Sequence, residues 1–148
     1  MAHGVPLPTG ETMVLQSLSG LPAFLIYFIC SSVLVGAYVF VYALITAHNE
    51  FDLIRQDKPG AAIALGLSLI GFALPLTSSI AHSDGILDMA IWGVIAAIVQ
   101  VAVYYLARIP VPDLSQRIAN GETAPAIWLG TASIAAGMLN AASMGTSG

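Results

Sequence analysis

The sequence predicts an all-α membrane protein: four transmembrane helices arranged as two parallel two-helix repeats, with both termini outside. Three observations lead there. Four apolar runs, 23–47, 60–81, 86–107 and 124–144, each reach the roughly 20 residues a helix needs to cross hydrocarbon. All 4 formal positive charges, Arg55, Lys58, Arg108 and Arg117, fall in the two connectors that follow the first and third runs. The second half of the chain repeats the first at a shift of 64 positions, placing Ala62 on Ala126.

Residues 1–20 are expected to form an irregular lead-in, punctuated by Gly4, Pro6, Pro8 and Gly10. Within it, residues 12–19 can make one or two helical turns, with Met13, Val14, Leu15 and Leu18 touching the membrane surface. A first two-span repeat then occupies 21–84 and a second occupies 85–148. The runs lack the apolar–polar alternation of barrel strands. In lipid a backbone must satisfy its own hydrogen bonds, so the runs are helices. The link 82–85 between the second and third runs is short enough to force an antiparallel hairpin. The connectors 48–59 and 108–123 are longer, and Pro59, Pro110 and Pro112 stop helices there. Residues 111–120 are expected to hold a short interfacial helix with Asp113 near its start. Tyr27, Trp92, Tyr104, Tyr105 and Trp128 lie near span ends, where amphipathic rings favour the headgroup region.

Translocating basic residues is disfavoured, so Arg55, Lys58, Arg108 and Arg117 anchor both connectors on the cytoplasmic side. The lead-in, the hairpin and the C-terminus then lie outside. The chain is 57% hydrophobic and 8% charged, against about a quarter charged in a soluble domain. That is too little polar surface for a water-exposed globule, and the lipid bilayer is the expected surrounding. No basic patch is available to neutralise phosphates, which excludes nucleic acid as a partner. Cys30 is the single cysteine, so neither an intramolecular disulfide nor a cysteine-based metal site is possible. The N-terminus lacks a positive n-region, so no signal-peptide cleavage is expected.

The repeat aligns Val35, Val39 and Ala43 with Val99, Val103 and Ala107, and Ile54 with Ile118. It also aligns Ala62, Ile63, Leu65, Gly66, Ile70 and Ser79 with Ala126, Ile127, Leu129, Gly130, Ile134 and Ser143. Small pairs at helical spacing, Ala62 with Gly66 and Ala126 with Gly130, let helices approach closely in lipid. Gly71, Gly137 and Ala141 extend those faces. The second and fourth spans are therefore expected to pack centrally, with Gly66 near Gly130.

Polar residues of those spans crowd toward the outer end: Pro75, Thr77, Ser78, Ser79 and His82 in the second, Asn140 and Ser143 in the fourth. Pro75 cannot donate to the carbonyl of Gly71, which leaves that acceptor free. Together they can line a small binding chamber, or serve interhelical hydrogen bonding, and the second reading is the simpler one. Gln100, near mid-membrane in the third span, is expected to bond a neighbouring helix or a second subunit. His82, Asp84 and Asp88 cluster at the hairpin and are the one combination with metal-ligand chemistry. A wet polar turn accounts for them equally, so no metal is expected. Glu50, Asp52, Arg55, Asp57 and Lys58 read as a mixed-charge, solvated loop in which Asp52 can approach Arg55. No nucleophile motif, phosphate loop or zinc-ligand spacing occurs, so neither an enzyme nor a cofactor is expected.

From Leu15 onward the chain resembles the YjfL family of bacterial inner-membrane proteins. The residues that carry the resemblance include Leu15-Gln16-Ser17-Leu18, Glu50 with Leu53-Ile54-Arg55, and Gly71-Phe72-Ala73-Leu74-Pro75-Leu76. They continue through Ile80-Ala81-His82-Ser83 and Asp113-Leu114-Ser115 with Arg117-Ile118, to Leu139-Asn140-Ala141-Ala142. The resemblance implies inner-membrane residence and two tandem copies of a two-span unit, and supplies no reaction. The chain departs from the family at Ala47-His48-Asn49 and at Asp57-Lys58, and carries Ser143 where cysteine is common, which argues against thiol chemistry there. The expected function is a non-enzymatic structural or accessory role in envelope maintenance, as a homo-oligomer with a possible membrane or cytoplasmic protein partner. The alternative is a channel or transporter subunit for a small solute or ion.

Overall fold

The computed structural model describes residues 4, 6–46 and 49–146. Ala47, the last residue of the first expected span, lies outside the described residues. Seven helices follow in order: α1 Gly10–Ser19, α2 Leu21–Ile45, α3 Glu50–Arg55, α4 Pro59–His82, α5 Ile86–Ala107, α6 Leu114–Ala119 and α7 Thr123–Met144. Among the described residues, four helical stretches are long and apolar enough to cross a membrane: α1–α2 together, α4, α5 and α7.

The lead-in differs from expectation. It is helical from Gly10, and only Gly20 separates α1 from α2. Gly20 itself keeps right-handed helical dihedrals, φ −80° and ψ −11°. Pro22 then occupies the first turn of α2, where its missing N–H costs nothing. The apolar side chains of the lead-in are exposed along α1, with Leu15 at 67%.

The two connectors are built alike. Leu53 N–H donates to the Asn49 carbonyl, and Arg117 N–H to that of Asp113. Asp57 N–H donates to Ile54 and Lys58 N–H to Leu53, while Gly121 N–H donates to Ile118 and Glu122 N–H to Arg117. Each of these is the same bond moved by 64 positions. Together they form a Schellman ending, which needs a left-handed residue after the helix. That residue is Asp57 (φ 58°) in one connector and Gly121 (φ 91°) in the other. Short α3 and α6 thus turn the chain into Pro59 and Thr123, the first residues of α4 and α7.

The α4–α7 pair is the core. Both helices run the same way, with Leu67 beside Gly130, Gly71 beside Ser133 and Gly137, and Ser78 beside Ala141. The approach is backbone to backbone: a methyl on Gly71 would sit 2.5 Å from the Ser133 carbonyl oxygen. Without a hydrophobic drive between helices in lipid, such close van der Waals contact supplies the attraction. One expectation is corrected. Ala62 is exposed and a methyl on Gly66 would meet nothing within 4 Å, so this pair turns away from α7. The α4 surface that meets α7 is instead Ala64, Ser68 and Gly71, with Gly60 against Ile118 and Glu122 of the turn into α7, all four buried. At 100° per residue, Ala62 and Gly66 lie on the other side of the helix from that row. The expected partners Ala126, Gly130 and Gly137 on α7 are buried against α4.

α5 closes one side of this pair, burying Met89, Gly93, Ala96, Gln100, Tyr104 and Ala107. Gly93 packs closely there, where an added methyl would lie 2.7 Å from Leu34 Cδ1 and push that side chain aside. α2 leans on α4 and α5 through Tyr38, whose ring stacks on Phe72 at 4.5 Å and 15°. It is the peripheral span: 6% of its most apolar window is buried, against 50% for α4.

Candidate functional site

The buried polar side chains form two groups at different depths. The first lies where α4, α5 and α7 meet. Ser68 Oγ and Ser133 Oγ are 3.4 Å apart, and Gln100 Nε2 donates to the Ser133 carbonyl at 3.0 Å. Gln100 is 1% exposed, and its Oε1 has no hydrogen-bond partner among the described residues. Tyr38 and Tyr42, one turn apart on α2, are buried against Leu65 and Phe72 of α4. Tyr42 in turn lies close to Glu50, which is only 2% exposed at the start of α3. Beside them the Tyr104 hydroxyl meets Ser115 Oγ on α6, and the Arg108 guanidinium sits 5.9 Å from the Tyr104 ring.

This group revises two readings. Glu50 is not part of a solvated loop. Its counterpart 64 positions on is Leu114, a core residue at 0% exposure, and the fold places Glu50 at a similarly enclosed position. Tyr104 is not an exposed belt residue, since it is 2% exposed. The alignment of Glu50 with Leu114, and the four-residue spacing of Tyr38 and Tyr42, were the signals available in the sequence.

The same end carries the four basic residues. Arg55 pairs with Asp52 at 3.5 Å, as their spacing implied, and both are exposed. Lys58 lies over Gly121, and Arg117 pairs with Glu122 at 2.6 Å. The Glu122 carboxylate beside it holds the Arg117 guanidinium further above its ordinary range. Arg108 caps α5.

The second group lies at the hairpin end. A cleft of about 330 Å³ is lined by Ser79, His82, Ser83, Asp84, Asp88 and Trp92. His82 Nδ1–H donates to the Ser78 carbonyl at 2.8 Å, which leaves Nε2 as the ring's remaining acceptor. Asp88 Oδ2 accepts from the Asp84 N–H at 3.2 Å and sits in the first turn of α5, where a carboxylate suits the helix dipole. Among the described residues no three His, Cys, Asp or Glu side chains come together to hold a metal ion, so His82, Asp84 and Asp88 do not make that set.

The expected chamber of Pro75, Thr77, Ser78, Ser79, His82, Asn140 and Ser143 is not assembled as one. Ser79 Oγ donates to the Met89 carbonyl and Ser78 Oγ to the Ala141 carbonyl, each joining α4 to a neighbour. Thr77 and Ser143 are exposed and bond back to Leu74 and Leu139 of their own helices. Pro75 is buried, and half-buried Asn140 has an Nδ2 with no partner among the described residues. Successive residues point 100° apart, so Thr77, Ser78 and Ser79 cannot share a face. Between the two groups, Phe72, Leu76 and Met89 are 0%, 3% and 0% exposed. From Ser68 to Ser79 the rise along α4 is roughly 16 Å.

Residues 16–144 match the domain of unknown function DUF350. The chain is 38% identical over 127 residues to the UPF0719 inner membrane protein YjfL of Escherichia coli strain K12, covering 86% of this chain and 96% of that one. The protein of the same description from Escherichia coli O157:H7 matches with the same identity and coverage. No solved structure matches. With four apolar spans, a family match over most of its length and relatives resident in the inner membrane, this chain belongs to the DUF350, or UPF0719/YjfL-like, family of multi-pass inner-membrane proteins whose function is unknown.

Proposed function

We propose that the protein is a non-enzymatic structural or accessory component of the envelope, built from two tandem copies of one two-span unit and working as a homo-oligomer. One observation carries the reading: three polar side chains between the spans are used to join helices. Ser79 ties α4 to α5, Ser78 ties α4 to α7, and Gln100 ties α5 to α7. A conducting path needs polar groups along its whole length, and Phe72, Leu76 and Met89 close the space between the two polar groups. The duplication is supported by the connector hydrogen bonds that recur 64 positions apart. The confinement of Arg55, Lys58, Arg108 and Arg117 to one end supports a cytoplasmic placement of α3 and α6, with both termini periplasmic.

The transporter reading draws on the cleft at His82, Asp84, Asp88 and Trp92, which would be a vestibule. Purified protein in liposomes separates the two. An accessory protein adds no ion or proton flux above protein-free vesicles. Flux that is abolished by His82→Ala or Asn140→Leu would replace the structural reading with the transport one.

A further inference from the structure

The α4–α7 interface has two unlike halves, and each has a counterpart that the monomer leaves partly uncovered. The half on α4 is Gly60, Ala64, Ser68 and Gly71; 64 positions on, along α7, stand Ala124, Trp128, Ala132 and Ala135. Of these Ala124 and Ala135 are exposed, Trp128 is 45% exposed and Ala132 is half-buried. The half on α7 is Ala126, Gly130, Ser133 and Gly137; 64 positions back, on α4, stand Ala62, Gly66, Leu69 and Ala73. Ala62 is exposed, Gly66 has open space about it, and Leu69 and Ala73 are half-buried. The front row behaves the same way. The stripe that α5 buries, Met89, Gly93, Ala96, Gln100 and Tyr104, corresponds on α2 to Leu25, Ile29, Ser32, Gly36 and Phe40, every one exposed.

A twofold axis between repeats would consume both halves inside one molecule. Here the second unit stands beside the first nearly as a shifted copy. One unused half is therefore left at each edge, and the two halves complement each other. We infer that a second copy of this chain continues the α4–α7 interface, laying its α4 face of Ala62, Gly66 and Ala73 against the α7 face of Trp128, Ala132 and Ala135 in the first. The open space at Gly66 receives Thr131, the counterpart of the Leu67 side chain that lies against Gly130 within the monomer. The α2 stripe of the added copy then rests on α7 of the first, as α5 rests on α4 within the monomer. Small faces associate in lipid through close packing, which is the force already used between α4 and α7. Gly71 and Gly137 are answered by Ala135 and Ala73, so two copies sit a methyl group further apart than α4 and α7 do. The contact is head-to-tail, which generates rings or rows and not a self-complementary dimer.

This deepens the assembly part of the proposed function and is independent of flux: a leak in liposomes would not alter the crosslinks described here. In a Cys30→Ser background, Ala73→Cys and Ala135→Cys are made singly and together, in native membranes. Coexpressed single variants, joined by a short thiol crosslinker, give a dimer, while each alone stays monomeric. The double variant gives a ladder. Adding Gly66→Leu, at a position where an added Cβ meets nothing within 4 Å in the monomer, lowers the crosslinked fraction about tenfold while the thermal unfolding of the purified protein is unchanged. Single variants that crosslink to themselves as strongly as the mixture, or a mixture of folded protein that does not crosslink at all, would overturn the inference.

Discussion

The carbonyl oxygen of Gly71 occupies the space that a side chain at position 137 would fill: a methyl placed on Gly137 would lie 2.0 Å from it. Pro75 explains why that oxygen is available. It lacks the N–H that would otherwise bond to Gly71, four residues earlier in α4. The freed acceptor turns to the backbone of α7, where only glycine admits it. A proline on one helix and a glycine on the other thus make one contact at the middle of the bundle.

Gly137→Ala therefore forces α4 and α7 apart along their closest stretch. Overpacking of this kind costs about 1–3 kcal/mol. Gly66→Ala is the control, since its methyl enters open space. Unfolding of the two variants in mixed micelles, followed by tryptophan fluorescence, should show a clear loss for position 137 and a change of less than about 0.5 kcal/mol for position 66. Equal losses would mean that α4 and α7 do not meet through Gly137.

The spans themselves were legible from apolar length and charge, because a membrane imposes those two constraints on any sequence. The hairpin at 82–85 and the α6 helix after Asp113 followed from chain length and turn residues. Which face of each helix turns inward was harder to read. α2 is apolar almost all round, so no stripe distinguishes the buried Tyr38 and Tyr42 from the exposed Phe40 and Leu44. The alignment of Gly66 with Gly130 suggested that the two glycines meet, yet only Gly130 is at the α4–α7 contact. Residues that align between two segments need not face each other when the helices stand side by side. Glu50 was misread for a related reason: a carboxylate in a charged connector looks solvated until the fold places it behind Tyr42.

Gln100 sits at the centre of the bundle with one satisfied end and one unsatisfied end. Its Nε2 donates to the Ser133 carbonyl, while Oε1 has no partner among the described residues. Replacement by Leu removes one interhelical bond, worth about 0.6 kcal/mol on average in membranes. It also removes a buried acceptor left without a donor. The two effects offset, so Gln100→Leu should leave stability within about 1 kcal/mol of the parent, measured in the same micelle assay. A loss of several kcal/mol would show that Oε1 has a functional partner such as a bound water or ligand.

The two connectors offer a paired test of backbone strain. Asp57 and Gly121 hold the same left-handed place in matched Schellman endings, at φ 58° and φ 91°. Glycine pays no Cβ penalty there, whereas aspartate pays part of the ~1–2 kcal/mol cost of the left-handed region. Asp57→Gly should stabilise by a few tenths to about 1 kcal/mol, reduced by the extra freedom glycine gives the unfolded chain. Gly121→Asp should destabilise by a similar amount. A destabilising Asp57→Gly would mean that the Asp57 side chain makes a contact outweighing its backbone strain.

Charge placement yields a prediction about sidedness. Arg55, Lys58, Arg108 and Arg117 gather at the end formed by α3 and α6, and the opposite hairpin carries Asp84 and Asp88 beside His82. Holding Lys and Arg on the cytoplasmic side is the dominant topological preference. In a Cys30→Ser background, Asp84→Cys on intact cells whose outer membrane has been permeabilised should react with a membrane-impermeant maleimide. Exposed Gln56→Cys, in the α3–α4 turn, should react only after the inner membrane is opened. The reverse pattern would place the acidic cleft in the cytoplasm.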